Sequence, residues 1–209
     1  SLRMFCLGIF FNFFGKIQLF GLEGIPLLIG RLAITIAVGY ALMGSFSLKV
    51  KNIFAFSILF IYLFLAYSGI EAYSDVRLPG VLQRIAIVYF VVSLLYLKTS
   101  QKTQIITGIV LLLGYWAVMT LIPVPGIGEA NLDKGTNLSA WVDSVLLKRH
   151  MYRGTVTWDP EGILSTIPSI VNGIIGLLIG QLLLADTIKI QKAQKMGIIG
   201  TILIFFGLI

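Results

Sequence analysis

The residues most able to do chemistry lie in Thr157-Trp158-Asp159-Pro160-Glu161-Gly162, where two carboxylates flank a proline. Such a pair can bind an amine or sugar hydroxyls, or accept a proton. The same residues also read as a helix start, with Asp159 as N-cap, Pro160 at the first helical position and Glu161 at the positive end of the dipole. The two readings are compatible, because a cap can hold a neighbouring carboxylate still. His150 is the only histidine, and its side chain has an unperturbed pKa suited to general-base work near neutral pH. A solvated loop histidine at a helix end is the simpler alternative. Arg31 and Arg84 each follow a proline by five residues, about 7.5 Å into a helix at 1.5 Å per residue. Ionisable groups at that depth pair or line a cavity. Glu71, Asp75 and Asp159 are the candidate partners, and anion binding is the functional alternative.

The elements that must hold these groups are apolar. Hydrophobic residues make up 57% of the chain and charged residues 12%, against roughly a quarter charged in a soluble domain. Mean hydropathy is +0.96. This composition specifies an all-α, polytopic helical membrane protein. The net charge of +7 does not indicate nucleic acid, because the basic residues neither cluster on an amphipathic surface nor interleave there with aromatics. Cys6 is the single cysteine, which excludes an intrachain disulfide and a cysteine-based metal cluster; no metal is expected.

Apolar runs near 4–20, 25–46, 53–70, 79–97, 104–122, 163–185 and 196–209 predict about seven spans, each near the ~20 residues needed to cross the hydrocarbon core. One set of connections carries Arg3, Lys49, Lys51, Lys98, Lys102, Lys189, Lys192 and Lys195; the other holds Glu23, Glu71, Asp75 and the five acids of 123–162. The positive-inside bias puts the lysine-rich turns in the cytoplasm and the 123–162 loop outside. Within that loop, Leu138, Trp141, Val142, Val145 and Leu146 form the stripe of an amphipathic helix over 137–147, suited to the membrane interface. Gly176 and Gly180 make a small-xxx-small face that predicts close helix packing. Pro26, Arg31, Ala33, Ile34, Val38, Leu42 and Lys49 recur 53 residues later as Pro79, Arg84, Ala86, Ile87, Val91, Leu95 and Lys102. That repeat of a Pro-led hairpin keeps a solute transporter or exporter in view. The whole chain reads as one transmembrane domain over 1–209. It is expected to be incomplete at both ends, since it starts and stops inside apolar runs.

The stretch Val76-Arg77-Leu78-Pro79-Gly80-Val81-Leu82-Gln83-Arg84-Ile85-Ala86, with Tyr89-Phe90, is followed in order by four further blocks. These are Ile122-Pro123-Val124-Pro125-Gly126, Trp141-Val142-Asp143, His150-Met151-Tyr152 and Asp159-Pro160-Glu161-Gly162-Ile163-Leu164. Together, over roughly residues 76–185, they resemble the heparan-α-glucosaminide N-acetyltransferase family and its bacterial relatives. The resemblance implies a membrane N-acetyltransferase that takes acetyl from cytosolic acetyl-CoA, as co-substrate, and delivers it to a glucosamine-type amine on the opposite side. Under that reading Arg84, Gln83, Asp159 and Glu161 line the substrate side and His150 is a catalytic helper.

Two departures stand out. The family's essential histidine lies upstream of the Arg-Leu-Pro-Gly block, where this sequence has none. Either that histidine lies outside this chain, or this member does something else. Residues 21–75 hold an additional hairpin where the family has a short connection. The partners implied are the lipid bilayer and an amino-sugar or glycan acceptor; a homo-oligomer is compatible with the chain. The expected location is the bacterial inner membrane, with loop 123–162 periplasmic. A transporter, or a protein with a purely structural role, is the rival reading.

Overall fold

The computed structural model describes residues 1–186 and 188–207. Among them the chain forms eight α-helices: α1 (Leu2–Phe14), α2 (Gly24–Met43), α3 (Leu48–Tyr67), α4 (Val81–Lys98), α5 (Gln101–Leu121), α6 (Leu138–Leu146), α7 (Thr166–Leu184) and α8 (Lys189–Gly207). No strand occurs among the described residues; Val124 and Gly128 form an isolated bridge in the turn after α5. Helices α2, α3, α4, α5 and α7 are long and apolar enough to cross a membrane. Leu208 and Ile209, the end of the last expected span, lie outside the described residues.

The helix starts follow local chemistry. Ser47 and Ser100 cap α3 and α5 by accepting from the Val50 and Thr103 amides, and Asn137 caps α6 through the Ala140 amide, each relieving an orphan donor of the first turn. The first apolar run gives a shorter helix than its hydropathy predicts. Helix α1 ends at Phe14 rather than near residue 20. Arg31 on α2 explains the early stop: its Nε donates to the Ile17 carbonyl and its terminal nitrogen to Gly15, both at 2.9 Å. The unpaired carbonyls that follow a helix end thus receive a charged donor. Arg31 therefore caps α1 and pairs with none of the carboxylates expected for it.

Short as it is, α1 is the floor of the structure. Cys6, Ile9, Phe10 and Phe13 are buried, with Phe10 and Phe13 packed on Tyr62 of α3 at ring separations of 6.1 and 4.6 Å. The Cys6 thiol donates to the Ala55 carbonyl, so Cys6 is a core residue. Helices α3 and α4 both lean on α1, α2 closes against α3, and α7 lies between α4 and α5. The close approach of α7 uses Gly173, where a Cβ would meet Val88 and Val92 at 2.6 and 2.9 Å. Gly176 and Gly180, expected to form that contact, have nothing near them.

At the far end of α5 and α7 a buried amide fixes the α4–α5 turn. Gln104 donates to the Leu95 and Thr99 carbonyls and accepts from Gln181 at 3.2 Å. Gln104→Leu should lower stability by about 1–2 kcal/mol, because it removes the bond to the Thr99 carbonyl and leaves the Gln181 amide without its acceptor. Gln181→Leu, which keeps the turn bonds, should cost less. Denaturant unfolding of the detergent-solubilised protein checks the order; equal effects would deny the turn its role.

Candidate functional site

The site is built on an extended segment, 76–80, that leads into α4. Pro79 excludes Leu78 from the helical region, so this backbone must find partners elsewhere. It finds them on three sides. Asn12 of α1 donates to the Arg77 and Pro79 carbonyls at 2.7 and 3.2 Å. The Leu78 amide donates to the His150 carbonyl at 2.9 Å, and the His150 ring meets the Val76 carbonyl through Nδ1 at 2.7 Å. A carbonyl can only accept, so Nδ1 carries the proton. Asn12, an interruption in the first apolar run, has its reason here.

From this segment Arg77 reaches both carboxylates of the Asp159–Glu161 pair. Its Nε donates to Asp159 Oδ2 at 2.9 Å and a terminal nitrogen to Oδ1 at 2.5 Å, while the same nitrogen binds Glu161 Oε2. The guanidinium also lies 4.8 Å over the Tyr152 ring, a cation–π contact. Burial alone would lower the Arg77 pKa, but the hydrogen bonds and charges of Asp159 and Glu161 outweigh it and raise the value. Asp159 is 2% exposed and also accepts from the Tyr152 and Glu161 amides at 2.7 and 2.9 Å. Four donors satisfy it. Helix α7 begins only at Thr166, so Asp159 does not cap it: Asp159 and Pro160 belong to a turn ahead of the helix.

Asp143, on the inner side of α6, fixes that turn from behind. Its oxygens accept from the Asp159 amide at 3.2 Å and the Ile163 amide at 2.9 Å. Burial pushes the Asp143 pKa above the ordinary carboxylate range; the two amides oppose the rise, the Asp159 charge adds to it, and Arg84 offsets it. The carboxylate presses on Gly162, where any Cβ would collide with it. Asp75, in turn, is ion-paired with Lys16 at 2.8 Å and with Arg153, which closes the outer rim of the segment.

Arg84 stands one turn into α4 and pairs with no carboxylate. A terminal nitrogen donates to Ser165 Oγ and lies 3.5 Å from the Gly162 carbonyl. Its Nε is buried without a partner. Arg84, Gln83, Glu161 and Thr166 meet at the polar end of a cavity of about 600 Å³ whose other walls are apolar. Gln83 is buried, its amide nitrogen committed to the Leu78 carbonyl at 3.1 Å.

Three of the residues singled out by sequence thus share the cavity: Gln83, Arg84 and Glu161. Asp159 sits behind Glu161, holding it. His150 is not among the residues lining the cavity; it is 5% exposed and edge-on to Tyr67 at 4.9 Å. It is therefore no solvated loop histidine. Arg77 and Asp143 escaped notice as site residues. The signal for Arg77 was available in charge balance, since two carboxylates brought together at a membrane edge require a cation. Asp143 left none, because its role is set by backbone amides 16 and 20 residues away.

Arg77→Gln should destabilise the protein by about 3–5 kcal/mol, as expected when a buried carboxylate loses its partner. Arg77→Lys should restore part of that, keeping the charge but not the two-pronged geometry. Thermal unfolding of the three proteins measures this, and a glutamine variant as stable as the parent would refute the arrangement. Gly162→Ala should cost about 1–3 kcal/mol, the usual range for overpacking, in the same assay.

No family model matches the chain. Human heparan-alpha-glucosaminide N-acetyltransferase is 31% identical over 159 residues, covering 56% of this chain and 24% of the human protein. The mouse protein of the same name is 30% identical over 159 residues, covering 55% of this chain and 24% of its own length. The chain thus spans about a quarter of the length of these curated relatives. At about 30% identity over rather more than half of its residues, this membrane-helix chain is a distant relative of the heparan-alpha-glucosaminide N-acetyltransferases.

Proposed function

We propose that the protein is a membrane acetyltransferase that moves acetyl from acetyl-CoA to the amine of an amino sugar on the non-cytoplasmic side. The observation that carries the reading is Glu161. Arg77 holds it through Oε2, which leaves Oε1 for a ligand at the polar end of a cavity it shares with Arg84. Its charge suits an ammonium group, and the unpartnered Arg84 Nε suits an oxygen of the same acceptor. In the transfer, the amine nitrogen bonds to the thioester carbonyl carbon, the C–S bond breaks, the thiolate leaves and the nitrogen gives up a proton. Glu161 binds and orients the amine; the proton goes to a base, for which the family's upstream histidine is the candidate, because His150 does not line the cavity.

The proposed topology follows from charge. Lys49, Lys51, Lys98, Lys102, Lys189, Lys192 and Lys195 lie at the end of the helices opposite Asp75, Asp143, Asp159 and Glu161. With the lysines cytoplasmic, their turns suit the phosphates of acetyl-CoA, and 123–162 faces outward, into the periplasm if the membrane is a bacterial inner membrane. Counting α1 and α8 with the five long helices gives seven crossings. A transporter would string its charges along a central path, whereas here the lysine turns stand at one end of the helices and the acids at the other. That distribution and the relatives both favour the acetyltransferase.

The intact protein in liposomes should acetylate glucosamine only when acetyl-CoA is supplied. Glu161→Gln should keep acetyl-CoA binding and lower kcat/KM for the amine by roughly 10- to 100-fold, the equivalent of one charge-assisted hydrogen bond. If the parent protein neither binds acetyl-CoA nor acetylates any amino sugar, the proposal is wrong.

A further inference from the structure

The cavity at Arg84 and Glu161 does not end at its polar mouth. Phe5, Ile9, Leu59, Leu63 and Ile87 carry it inward between α3 and α4. A second cavity of about 340 Å³ continues it past Phe56, Ala86 and Phe90, sharing Phe5 and Ile87 with the first. Along α4 the joined groove runs from Gly80 to Phe90, about 15 Å at 1.5 Å per residue. Its floor is α1, on which both walls lean. Apart from Ser1 at its inner end, all of its polar groups (Gln83, Arg84, Glu161 and Thr166) stand at the outer end. Phe56 and Phe90, which line it, are more than half exposed, so the groove opens laterally to lipid.

We infer that the acceptor amine is carried on a lipid, whose hydrocarbon chain lies in the α3–α4 groove while its amine-bearing head meets Glu161 and Arg84. This rests on the acetyltransferase reading and names the substrate class of that same site. The pattern of the groove is that of an amphiphile: an apolar trough of helix-like length, then one acid and one unpartnered donor at the depth where head groups begin. A water-soluble amino sugar would use only the last few ångströms. A transmembrane helix seated there would satisfy its own backbone and leave both Arg84 Nε and Glu161 Oε1 without use. Because lipid surrounds the protein anyway, the chain contributes little hydrophobic free energy in the groove. What the groove supplies is position, holding the head at a fixed depth and the amine at a fixed place.

The test uses an alkyl glucosaminide with a diazirine in its chain, photolysed with the intact protein in nanodiscs without acetyl-CoA. The matched alkyl glucoside, with a hydroxyl in place of the amine, is the control. Mass spectrometry should find label from the amine probe concentrated on Leu59, Leu63 and Ile87, with the control about tenfold weaker there, the equivalent of one charge-assisted hydrogen bond. Ile87→Trp and Leu63→Trp, on opposite walls, should each reduce that label. Label spread evenly over exposed faces such as Ile109 and Leu113 of α5 would overturn the inference, as annular lipid gives that result. So would a groove that takes no label. In either case, acetylation of free glucosamine by the same protein would leave the acetyltransferase reading standing. Absence of any acetylation alongside a labelled groove would instead remove the acetyltransferase reading, and with it the acceptor role of the lipid, leaving the groove as a binding site for an amine-bearing amphiphile.

Discussion

A single guanidinium holds this protein's outer end together. Arg77 lies between Asp159 and Glu161, at the centre of a knot that the Arg153–Asp75 ion pair and the His150–Val76 bond also tie. Two carboxylates so close would repel each other, and Asp143 behind them adds a third. Near the edge of a bilayer the effective dielectric is low enough for both the repulsion and its relief to be large. Taking Asp159 out of water is tolerable because four donors replace its hydration. Once Arg77 is fixed, the extended 76–80 segment is fixed, and with it the start of α4, the place of Arg84 and the backbone that Asn12 of α1 grips.

The repeated hairpin shows how one residue pattern serves two ends. Arg31 and Arg84 occupy equivalent places, five residues beyond Pro26 and Pro79. Both sit too deep to be left to water and both reach backbone groups. Arg31 spends its donors on the Gly15 and Ile17 carbonyls, and so stops α1 early. Arg84 faces a turn in which Ser165 and Gly162 use only part of its guanidinium, and the remainder points to a cavity. The first arginine is a structural cap. The second keeps one donor, Nε, without a partner.

Much of the fold was legible because it is written locally. Apolar runs located the five long helices within a few residues of their bounds. Where reading by pattern failed, the deciding partner was distant. Asp159-Pro160-Glu161 has the form of a helix start, but Arg77, 82 residues away, makes it a turn. His150 has the polarity of a loop residue, but the Val76 carbonyl, 74 residues away, draws it inside. Gly176 and Gly180 have the spacing of a packing face, yet Gly173 meets the neighbour, since spacing on a helix does not tell which side is turned inward.

The distinction between Asp159 and Glu161 has a consequence for chemistry. A carboxylate saturated by four donors is a poor partner for a ligand, since any new bond must displace an old one. It is also a rigid support, because every rotation of its side chain breaks something. Glu161, bound at one oxygen, has the opposite character: it is oriented yet still has an acceptor to offer. Neither would work alone. Without Asp159, Arg77 would have no fixed place and would collapse onto Glu161 as a simple ion pair; without Glu161, the knot would be only a fastening. The Pro160 between them keeps the two side chains on separate duties, and Asp143 clamps the turn so that Arg84 and Glu161 confront the same space. The arrangement is asymmetric, one acid immobilised so that the next is left open.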